Sequence, residues 1–240
     1  MMSFWPNAHA LVTGAGSGIG AATAIALANA GVRVSIAGRR IDALKATAAA
    51  LGKHAGAVVS IDVTGEAAVT KGIAQIAAEA GPIDILVNNA GIAIVRGVDD
   101  LTEEDFDRTI TVNLKSAFLC TQAVLPMMRT RKWGRIVNIS SGAARGAGAI
   151  GPHYNASKAA VEGLTRGYAA RLVKEGITVN AVAPSLIETD MMKGQSSLVS
   201  RIPVGRFGTV EEVAQAVMLL VNNPYMTGQT IAMSGGMAFN

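Results

Sequence analysis

Short, nearly continuous runs of apolar residues alternate along the chain with longer segments whose apolar positions recur at helical spacing. The continuous runs predict strands that are covered on both faces, as in a parallel sheet flanked by helices. The predicted strands are residues 10–13, 32–37, 58–61, 83–87, 136–139, 178–183 and 229–232. The predicted helices are residues 19–30, 42–51, 66–79, 103–131, 154–174 and 210–220. This order predicts an α/β fold, a doubly wound parallel sheet of about seven strands with helices on both faces.

The length of the chain and its lack of a linker-like stretch predict a single domain that spans residues 1–240. Half of the residues are hydrophobic, yet no apolar run is as long as a membrane-spanning helix. Residues 1–7 also lack the basic start and the apolar core of a signal peptide. We therefore expect a cytoplasmic protein that does not bind a membrane.

The formal net charge is +4, and its basic and acidic residues are dispersed along the chain. Nucleic-acid binding would require clustered Lys and Arg with stacking aromatic residues, so a small molecule is the expected partner. The single cysteine, Cys120, is predicted to be a buried small hydrophobe, and no metal site is expected. The densest basic group is predicted to cap a helix end in solvent and consists of Arg129, Arg131, Lys132 and Arg135.

A glycine-rich turn at residues 13–20 follows the first predicted strand and opens the first predicted helix. In such a turn the backbone comes close to a pyrophosphate, and the amides at the helix N-terminus face its negative charge. The spacing Gly16-x-Gly18-x-x-Ala21 matches the common dinucleotide-binding pattern only in part, so a purely structural turn is the alternative. The turn favours a Rossmann-type domain that binds a dinucleotide.

The residues after the second predicted strand indicate which dinucleotide binds. NAD-binding domains usually carry an acidic residue there for the adenosine ribose, whereas this chain carries Arg39 and Arg40. A guanidinium can bind a 2′-phosphate through paired hydrogen bonds, and an acid would repel it. The sequence therefore favours NADP(H) over NAD(H), with Arg39 at the 2′-phosphate. Two solvated arginines that open a helix are the alternative.

Tyr154 and Lys158 lie four residues apart in a predicted helix, so they share a face and the ammonium can lie beside the phenol. A fixed positive charge brings the pKa of a phenol closer to working pH, which suits a general acid or base. Ser141, thirteen residues before Tyr154, can hydrogen bond a carbonyl oxygen, and this spacing favours it over Ser140. We expect His153 to face solvent. The alternative for Tyr154 and Lys158 is an ordinary amphipathic pair on a helix. Together with the glycine turn, however, the Ser-Tyr-Lys pattern predicts an oxidoreductase.

With the glycine turn, Ser141, Tyr154 and Lys158 in this order, the chain resembles the tyrosine-dependent short-chain dehydrogenases/reductases over nearly its whole length. Further matching motifs are Asp62-Val63, Asn88-Asn89-Ala90-Gly91 and Val112-Asn113-Leu114-Lys115. The branch that the chain resembles most is the 3-oxoacyl-acyl-carrier-protein reductases, through residues 176–184, 201–206 and 227–229.

The resemblance implies roles for individual residues. Asn113 would join Ser141, Tyr154 and Lys158 as a catalytic residue and hold a water that leads from the lysine; a bond to a carbonyl one turn back is the alternative. The segment 88–91 would back the cofactor, although by itself it reads as a turn that closes a buried strand. The implied cofactor contacts are Gly14, Ser17, Gly18, Ile19, Gly20, Arg39, Asp62, Val63, Asn89, Ala90, Gly91, Tyr154, Lys158, Pro184, Ile187 and Thr189.

The resemblance also implies an NADP(H)-dependent reduction of a ketone to a secondary alcohol, with a 3-oxoacyl thioester as a candidate substrate and a homotetramer as the assembly. The alternatives are an NAD-dependent dehydrogenase of a secondary alcohol, sugar or steroid, and a cofactor-sensing regulator without turnover. Ser17 and Glu175 stand where many relatives carry basic residues, the first for NADP and the second for docking an acyl-carrier protein, and Ser185 replaces a glycine. The carrier protein is therefore a weaker candidate partner than a free small molecule.

Overall fold

The computed structural model of the protein describes residues 7–189, 194 and 196–238. Within these residues the strands of the sheet are β1 (His9–Thr13), β2 (Arg33–Gly38), β3 (Ala55–Ser60), β4 (Ile85–Asn88), β5 (Gly134–Ile139), β6 (Ile177–Pro184) and β7 (Thr230–Met233). They form one sheet in the order β3-β2-β1-β4-β5-β6-β7, and every pairing is parallel. The predicted doubly wound, Rossmann-type α/β fold is confirmed.

Helices cover both faces of this sheet. They are α1 (Gly18–Asn29), α2 (Ile41–Leu51), α3 (Glu66–Ala80), α4 (Glu103–Ile110), α5 (Ser116–Arg131), α6 (Pro152–Leu172) and α7 (Val210–Asn222). On one face α1 and α7 pack through an apolar cluster that includes Leu27 and Val217. On the other face α3 and α6 contribute Ile76 and Leu172 to a second cluster. Because both faces are covered, the central strands are buried along their whole length, which explains their continuous apolar pattern.

Two of the predicted helices are divided in the structure, and the others match the observed helices within two residues. Residues 103–131 form α4, a π-helical segment at Thr111–Lys115 and then α5, instead of one helix. A π turn inserts extra backbone into a helix without interrupting the apolar pattern strongly, so the sequence does not reveal it. The predicted helix 154–174 begins earlier, at Pro152, and its last residues form a separate 3-10 turn, Val173–Glu175.

The strand order reverses between β1 and β4, which leaves a crevice at the carboxyl ends of these two strands. The glycine turn after β1 enters this crevice. Gly14 has a φ of +65°, and a Cβ there would lie 2.9 Å from the Ala90 Cα. Only a glycine lets the turn approach the segment after β4 so closely.

The prediction that the basic group caps a helix end is confirmed for Arg129 and Arg131, which lie in the last turn of α5, and is wrong for Arg135. Arg135 lies in β5 and is buried, instead of capping a helix end in solvent. Arg129 and Arg131 end α5, but each pairs with a carboxylate from another part of the chain, Glu175 at 2.6 Å and Asp84 at 2.8 Å. These pairs tie the end of α5 to the edge of the sheet opposite the crevice.

Cys120 lies on α5 and is buried, as predicted. Burial raises the pKa of its thiol to about 12. Because the thiolate is the nucleophilic form, this cysteine is unsuited to catalysis at neutral pH. Among the residues that the structure describes, no helix combines the length and the apolar character needed to cross a membrane.

Candidate active site

Ser141 and Tyr154 meet where β5 ends and α6 begins. Ser141 precedes a 3-10 turn, Gly142–Ala144, and its Oγ accepts a hydrogen bond from the Ala143 N–H at 3.2 Å. Tyr154 lies in the first turn of α6, and its phenol shares a hydrogen bond with the Ser141 hydroxyl. Two of the four predicted catalytic residues are therefore in direct contact.

The Tyr154 phenol is neutral at pH 7. Burial raises its pKa above the ordinary value, and the hydrogen bond with Ser141 only partly opposes the rise. The sequence predicted the opposite direction, with Lys158 bringing the pKa closer to working pH. Desolvation is the larger effect because a phenolate would have to form in a site that excludes most water. A neutral phenol is the form that can donate a proton.

Lys158 lies one turn after Tyr154 on the same face of α6. Its Nζ is 5.8 Å from the centroid of the Tyr154 ring and donates a hydrogen bond to the Ile139 carbonyl at 2.9 Å. The side chain is buried, and burial lowers the pKa of the ammonium to about 8. Most of the population is still positively charged at pH 7. A phenolate formed at Tyr154 would therefore have a cation beside it.

The π-helical segment between α4 and α5 carries Asn113. Such segments widen a helix locally and are frequent at functional sites. The buried Asn113 Oδ1 accepts from the Ile92 N–H at 2.8 Å, and its Nδ2 donates to the Ile92 carbonyl at 3.0 Å and to the Ser157 Oγ at 3.1 Å. Ser157 in turn donates to the Tyr154 carbonyl at 2.7 Å. Asn113 thus links the loop after β4 to the helix of Tyr154 and Lys158.

Gly91 completes the contact between these groups. A Cβ at this position would lie 3.3 Å from the Asn113 Oδ1 and 3.6 Å from the Lys158 Nζ. The four predicted catalytic residues therefore occupy one continuous region at the carboxyl edge of the sheet. The space next to Lys158 stays open because Gly91 has no side chain.

A cleft of about 400 Å³ opens beside this region. Its walls come from the segments that follow β1, β2, β3 and β4, so it occupies the crevice where the strand order reverses. The N-terminus of α1 lies in the same place, and its free amides can face a pyrophosphate. The predicted cofactor contacts that line the cleft are Gly14, Ser17, Arg39, Asp62, Val63, Ala90 and Gly91.

Five further predicted contacts lie outside the cleft lining, at the start of α1 or at the end of β6 and beyond it. A Cβ on Gly18 would lie 3.6 Å from the Thr189 methyl carbon, so residue 189 reaches the start of α1. Pro184 ends β6 at the carboxyl edge of the sheet. Ile187 is buried in the apolar cluster under α1, and Ile19 packs against the same cluster. The two isoleucines are largely occupied by packing.

Asn89, another predicted cofactor contact, forms hydrogen bonds with the glycine turn. Its Nδ2 donates to the Thr13 and Gly14 carbonyls at 3.0 and 3.1 Å, so the side chain holds the glycine turn. The Thr13 Oγ accepts from the Asn89 and Ala90 N–H groups, each at 3.1 Å. A Cβ on Gly20 would lie 2.6 Å from the Gly14 carbonyl oxygen, so that glycine is needed for close packing. Thr13 and Asn89 therefore lock the two cofactor-side turns together.

The end of the cleft next to β2 and β3, where the adenosine would be expected, contains both signs of charge. Hydrogen bonds from the Thr64 hydroxyl and N–H lower the pKa of Asp62, and the nearby charge of Arg39 adds to this effect. Arg40 Nη2 donates to the Ser17 Oγ at 3.1 Å. The sequence alone assigned no separate role to Arg40, although its position next to Arg39 was a signal that could have indicated one. Its guanidinium reaches the glycine turn at the position where Ser17 replaces a basic residue.

Ser140 makes contacts that differ from those of Ser141. Its Oγ lies 3.2 Å from both the Lys158 carbonyl and the Glu162 Oε1, which are its hydrogen-bond acceptors. The Arg145 Nε donates to the Glu162 Oε2 at 3.1 Å. The hydroxyl that meets the Tyr154 phenol is therefore that of Ser141. The sequence offered no signal for Glu162 or Arg145 beyond their type.

His153 was predicted to face solvent, and this prediction is wrong. The imidazole is fully buried, and its Nε2 lies 3.0 Å from the Ile94 carbonyl. The reason is that the first turn of α6 packs against the loop after β4. Arg96 reinforces this contact, since its N–H donates to the Ile150 carbonyl at 3.0 Å. The loop after β4 and the segment that leads into α6 thus form one wall beside Tyr154.

Comparisons with known proteins agree with this geometry. The family model described as short chain dehydrogenase matches residues 8–198. The chain is 41% identical over 239 residues to the hydroxy(phenyl)methylsuccinyl-CoA dehydrogenase subunit BbsD of Thauera aromatica, with 96% of each chain covered. It is 40% identical over 237 residues to the 3-oxoacyl-acyl-carrier-protein reductase FabG of Thermotoga maritima, with 95% of this chain and 96% of the relative covered.

Among solved structures, a variant of actinorhodin polyketide ketoreductase with NADPH superposes with a TM-score of 0.92 at 32% identity, covering 96% of this chain and 97% of that chain. The sheet is parallel and has a cleft at the point where its strand order reverses. Together with these relatives, this architecture defines an NAD(P)-dependent oxidoreductase. The chain belongs to the short-chain dehydrogenase/reductase family, which confirms the resemblance seen in the sequence.

Proposed function

We propose that the protein is an NADP(H)-dependent ketone reductase whose catalytic residues are Ser141, Tyr154, Lys158 and Asn113. The observation that carries the proposal is the contact between the neutral Tyr154 phenol and the Ser141 hydroxyl, with the Lys158 ammonium on the same helix face. Two adjacent hydroxyls can bind one carbonyl oxygen, and the cation can stabilise the phenolate that proton donation leaves behind.

When bound, NADPH supplies a hydride to the carbonyl carbon of the substrate. The substrate oxygen accepts hydrogen bonds from Ser141 and Tyr154 and gains negative charge during the reaction. Tyr154 transfers its phenol proton to that oxygen, while Ser141 stabilises the charge that develops before the transfer is complete. The secondary alcohol then leaves, and Tyr154 remains as a phenolate.

The phenolate has to be stabilised and reprotonated before the next turnover. The Lys158 ammonium stabilises it by charge, and it is also the group that would hold the nicotinamide ribose. Asn113 is joined to the Tyr154 backbone through Ser157 and lies next to Gly91 and Lys158. We propose that Asn113 holds a water that returns protons from solvent through Lys158.

The proposed preference for NADP(H) rests on two arginines after β2. Arg39 is exposed at the wall of the cleft, and the hydrogen bond between Arg40 and Ser17 brings a second guanidinium onto the glycine turn. Both cations lie at the adenosine end, where a 2′-phosphate would be bound. Paired guanidinium hydrogen bonds favour a phosphate over a ribose hydroxyl.

Arg39→Asp should lower the ratio of kcat/KM with NADPH to kcat/KM with NADH by at least about tenfold. A charge-assisted contact is worth about 1.5–3 kcal/mol, and the new carboxylate adds repulsion. Steady-state kinetics with both cofactors at fixed ionic strength measure the ratio. Lys45→Asp is the matched control, because it makes the same charge change at an exposed position of α2 outside the cleft wall. A wild type that prefers NADH, or an Arg39→Asp ratio equal to that of the control, contradicts the assignment.

We propose a 3-oxoacyl thioester as the substrate. Both curated relatives described above have thioester substrates in their names, one a succinyl-CoA derivative and the other an acyl-carrier-protein conjugate. Consumption of NADPH should be measured against acetoacetyl thioesters, aryl ketones, sugars and steroids. The highest kcat/KM should belong to an acetoacetyl thioester, and a higher value for a sugar or steroid would assign a different substrate.

The carrier protein is not expected to be required. Glu175 occupies the place of a docking base, and it accepts a hydrogen bond from the Arg129 Nε at 2.6 Å. This pairing neutralises one of the cations on that surface, so an acidic carrier gains little there. Acetoacetyl-CoA and the acetoacetyl carrier conjugate should therefore give similar kcat/KM values in the same assay.

A dehydrogenase that oxidises a secondary alcohol with NAD is the second candidate, because one relative carries the name dehydrogenase. The ratio of forward to reverse kcat/KM at pH 7 with each cofactor decides between the two. Retention of both Tyr154 and Lys158 argues against a regulator without turnover. We further propose a single domain, a cytoplasmic location and a homotetramer, and light scattering after size-exclusion chromatography tests the last of these.

A further inference from the structure

We infer that Glu162 and Arg145 are a pair of positioning residues that fix Ser141 against Tyr154. Neither residue is among the proposed catalytic or cofactor-binding groups. The inference rests on the proposed function, because it assumes that Ser141 assists proton donation by Tyr154. Glu162 and Arg145 hold the Ser141 hydroxyl in place and take no part in the chemical steps themselves.

The Glu162 carboxylate is enclosed, with 6% of its side chain exposed, whereas 40% of the Arg145 side chain is exposed. A buried carboxylate without partners is costly, so its hydrogen bonds are needed for the local structure to persist. Glu162 has two partners: the Arg145 Nε at 3.1 Å on one oxygen and the Ser140 hydroxyl at 3.2 Å on the other. Arg145 is therefore held by an ion pair in which the carboxylate of Glu162 is mostly shielded from water.

The partners of Glu162 lie on both sides of Ser141 in the chain. Ser140 directly precedes it, and Arg145 follows the 3-10 turn Gly142–Ala144 that Ser141 begins. Glu162 itself lies on α6, two helical turns after Tyr154 and one after Lys158. The short segment 140–145 is thus attached at both ends to the helix that carries the proton donor.

At its start the segment is also held by backbone contacts, since the Ser140 N–H donates to the Val182 carbonyl at 2.7 Å and the Ser140 Oγ contacts the Lys158 carbonyl. Glu162 adds the contact that attaches the other end, through Arg145. Within the segment, the Ser141 Oγ accepts a hydrogen bond only from the Ala143 N–H at 3.2 Å, apart from its contact with Tyr154. We call the contacts of Glu162 with Ser140 and Arg145 the clamp. A loss of the clamp would let the Ser141 hydroxyl move relative to the Tyr154 phenol. Misplacement by about 1 Å can cost on the order of 10² in rate.

Glu162→Gln removes the charge and keeps the shape. We expect kcat to fall by about tenfold or more, while the dissociation constant of NADPH stays within about twofold, because the Lys158 side chain is not touched. Glu175→Gln is the matched control: it makes the same substitution in an ion pair at the opposite edge of the sheet and should leave kcat with acetoacetyl-CoA unchanged. Arg145→Lys, which keeps a cation, should retain more activity than Arg145→Met.

A double-mutant cycle shows whether Glu162 acts through Ser141. Ser141→Ala alone should lower kcat by roughly 10²–10³, as for loss of an oxyanion donor. If the clamp serves only to place that hydroxyl, Glu162→Gln added to Ser141→Ala should lower kcat by less than about twofold further. Circular dichroism and NADPH titration of every variant show whether it is folded. If Glu162→Gln does not fold, the cycle is run with Arg145→Met, whose side chain is the more exposed of the two.

Three results would overturn the inference. The first is a kcat for Glu162→Gln equal to that of Glu175→Gln, and the second is that the losses from Glu162→Gln and Ser141→Ala multiply in the double variant. The third is a loss of NADPH affinity in Glu162→Gln that parallels its loss of kcat. The proposed function fails in a different way, namely if Ser141→Ala and Tyr154→Phe both retain wild-type kcat. A large effect of Ser141→Ala with no effect of Glu162→Gln would leave the proposed function intact and remove only the clamp.

Discussion

Tyr154→Phe should lower kcat for ketone reduction by about 10²–10⁴-fold, while the dissociation constant of NADPH changes by less than about twofold. The substitution removes only the hydroxyl, so the ring still packs where it does now. The lost group is the proposed proton donor, a neutral phenol whose pKa is raised by burial, and its partner Ser141 has no acidic proton to offer in its place. Single-turnover kinetics with saturating NADPH measure the chemical step separately from product release.

Tyr168→Phe provides the control for this experiment. Tyr168 lies on the same helix, α6, and its phenol is also partly enclosed, with a hydrogen bond to the Gln122 side chain. It is far along the helix from Ser141 and Lys158, so its loss should leave kcat within about twofold of the wild type. Wild-type turnover in Tyr154→Phe would remove Tyr154 as the proton donor, whatever the control shows.

Lys158→Met should lower kcat by about 10²-fold or more and also weaken NADPH binding, because the lysine is assigned both the phenolate and the nicotinamide ribose. Methionine has a similar length and no charge, so packing changes little. The dissociation constant is measured by fluorescence titration, separately from turnover. Lost turnover with unchanged NADPH affinity would remove the ribose contact, and unchanged turnover would remove the lysine from the mechanism.

The pH dependence of cofactor binding gives an independent check on Lys158. Burial lowers the pKa of its ammonium to about 8, and the charged form is the one that favours an anionic cofactor. NADPH affinity of the wild type should therefore fall as the pH rises through about 8 and above. In Lys158→Met this part of the pH dependence should be absent. An equally steep fall in both proteins would mean that another group is responsible.

The parts of the site that the sequence predicted are those set by local geometry. Tyr154 and Lys158 share a face because a helix repeats every 3.6 residues, and this needs no knowledge of the rest of the fold. The glycine turn was predictable for a similar reason, since a strand that runs into a helix N-terminus defines where the cleft lies. The third strand was predicted at residues 58–61, whereas β3 begins at Ala55. The prediction missed its start because Ala and Gly, which occupy positions 55–57, are weak strand formers.

The parts that could not be predicted depend on contacts between distant segments. Glu162 and Arg145 look like solvated charges in the sequence, and only the packing of α6 against the loop after β5 buries the carboxylate. His153 was misassigned because nothing local shows that the loop after β4 covers it. The direction of the Tyr154 pKa was also wrong, because proximity to Lys158 can be read from spacing but desolvation cannot.

The buried Lys158 also sets a trade-off between catalysis and folding stability. Its pKa is about 8 in the folded protein, against an ordinary value of 10.5 for the exposed side chain of an unfolded chain. The unfolded chain therefore binds more protons between these two values, and the free energy of unfolding rises with pH across that interval. Below about pH 8 the full penalty applies, on the order of 3 kcal/mol at 1.36 kcal/mol per unit. At neutral pH the fold thus carries a permanent destabilisation in order to keep a cation next to Tyr154, the proposed proton donor.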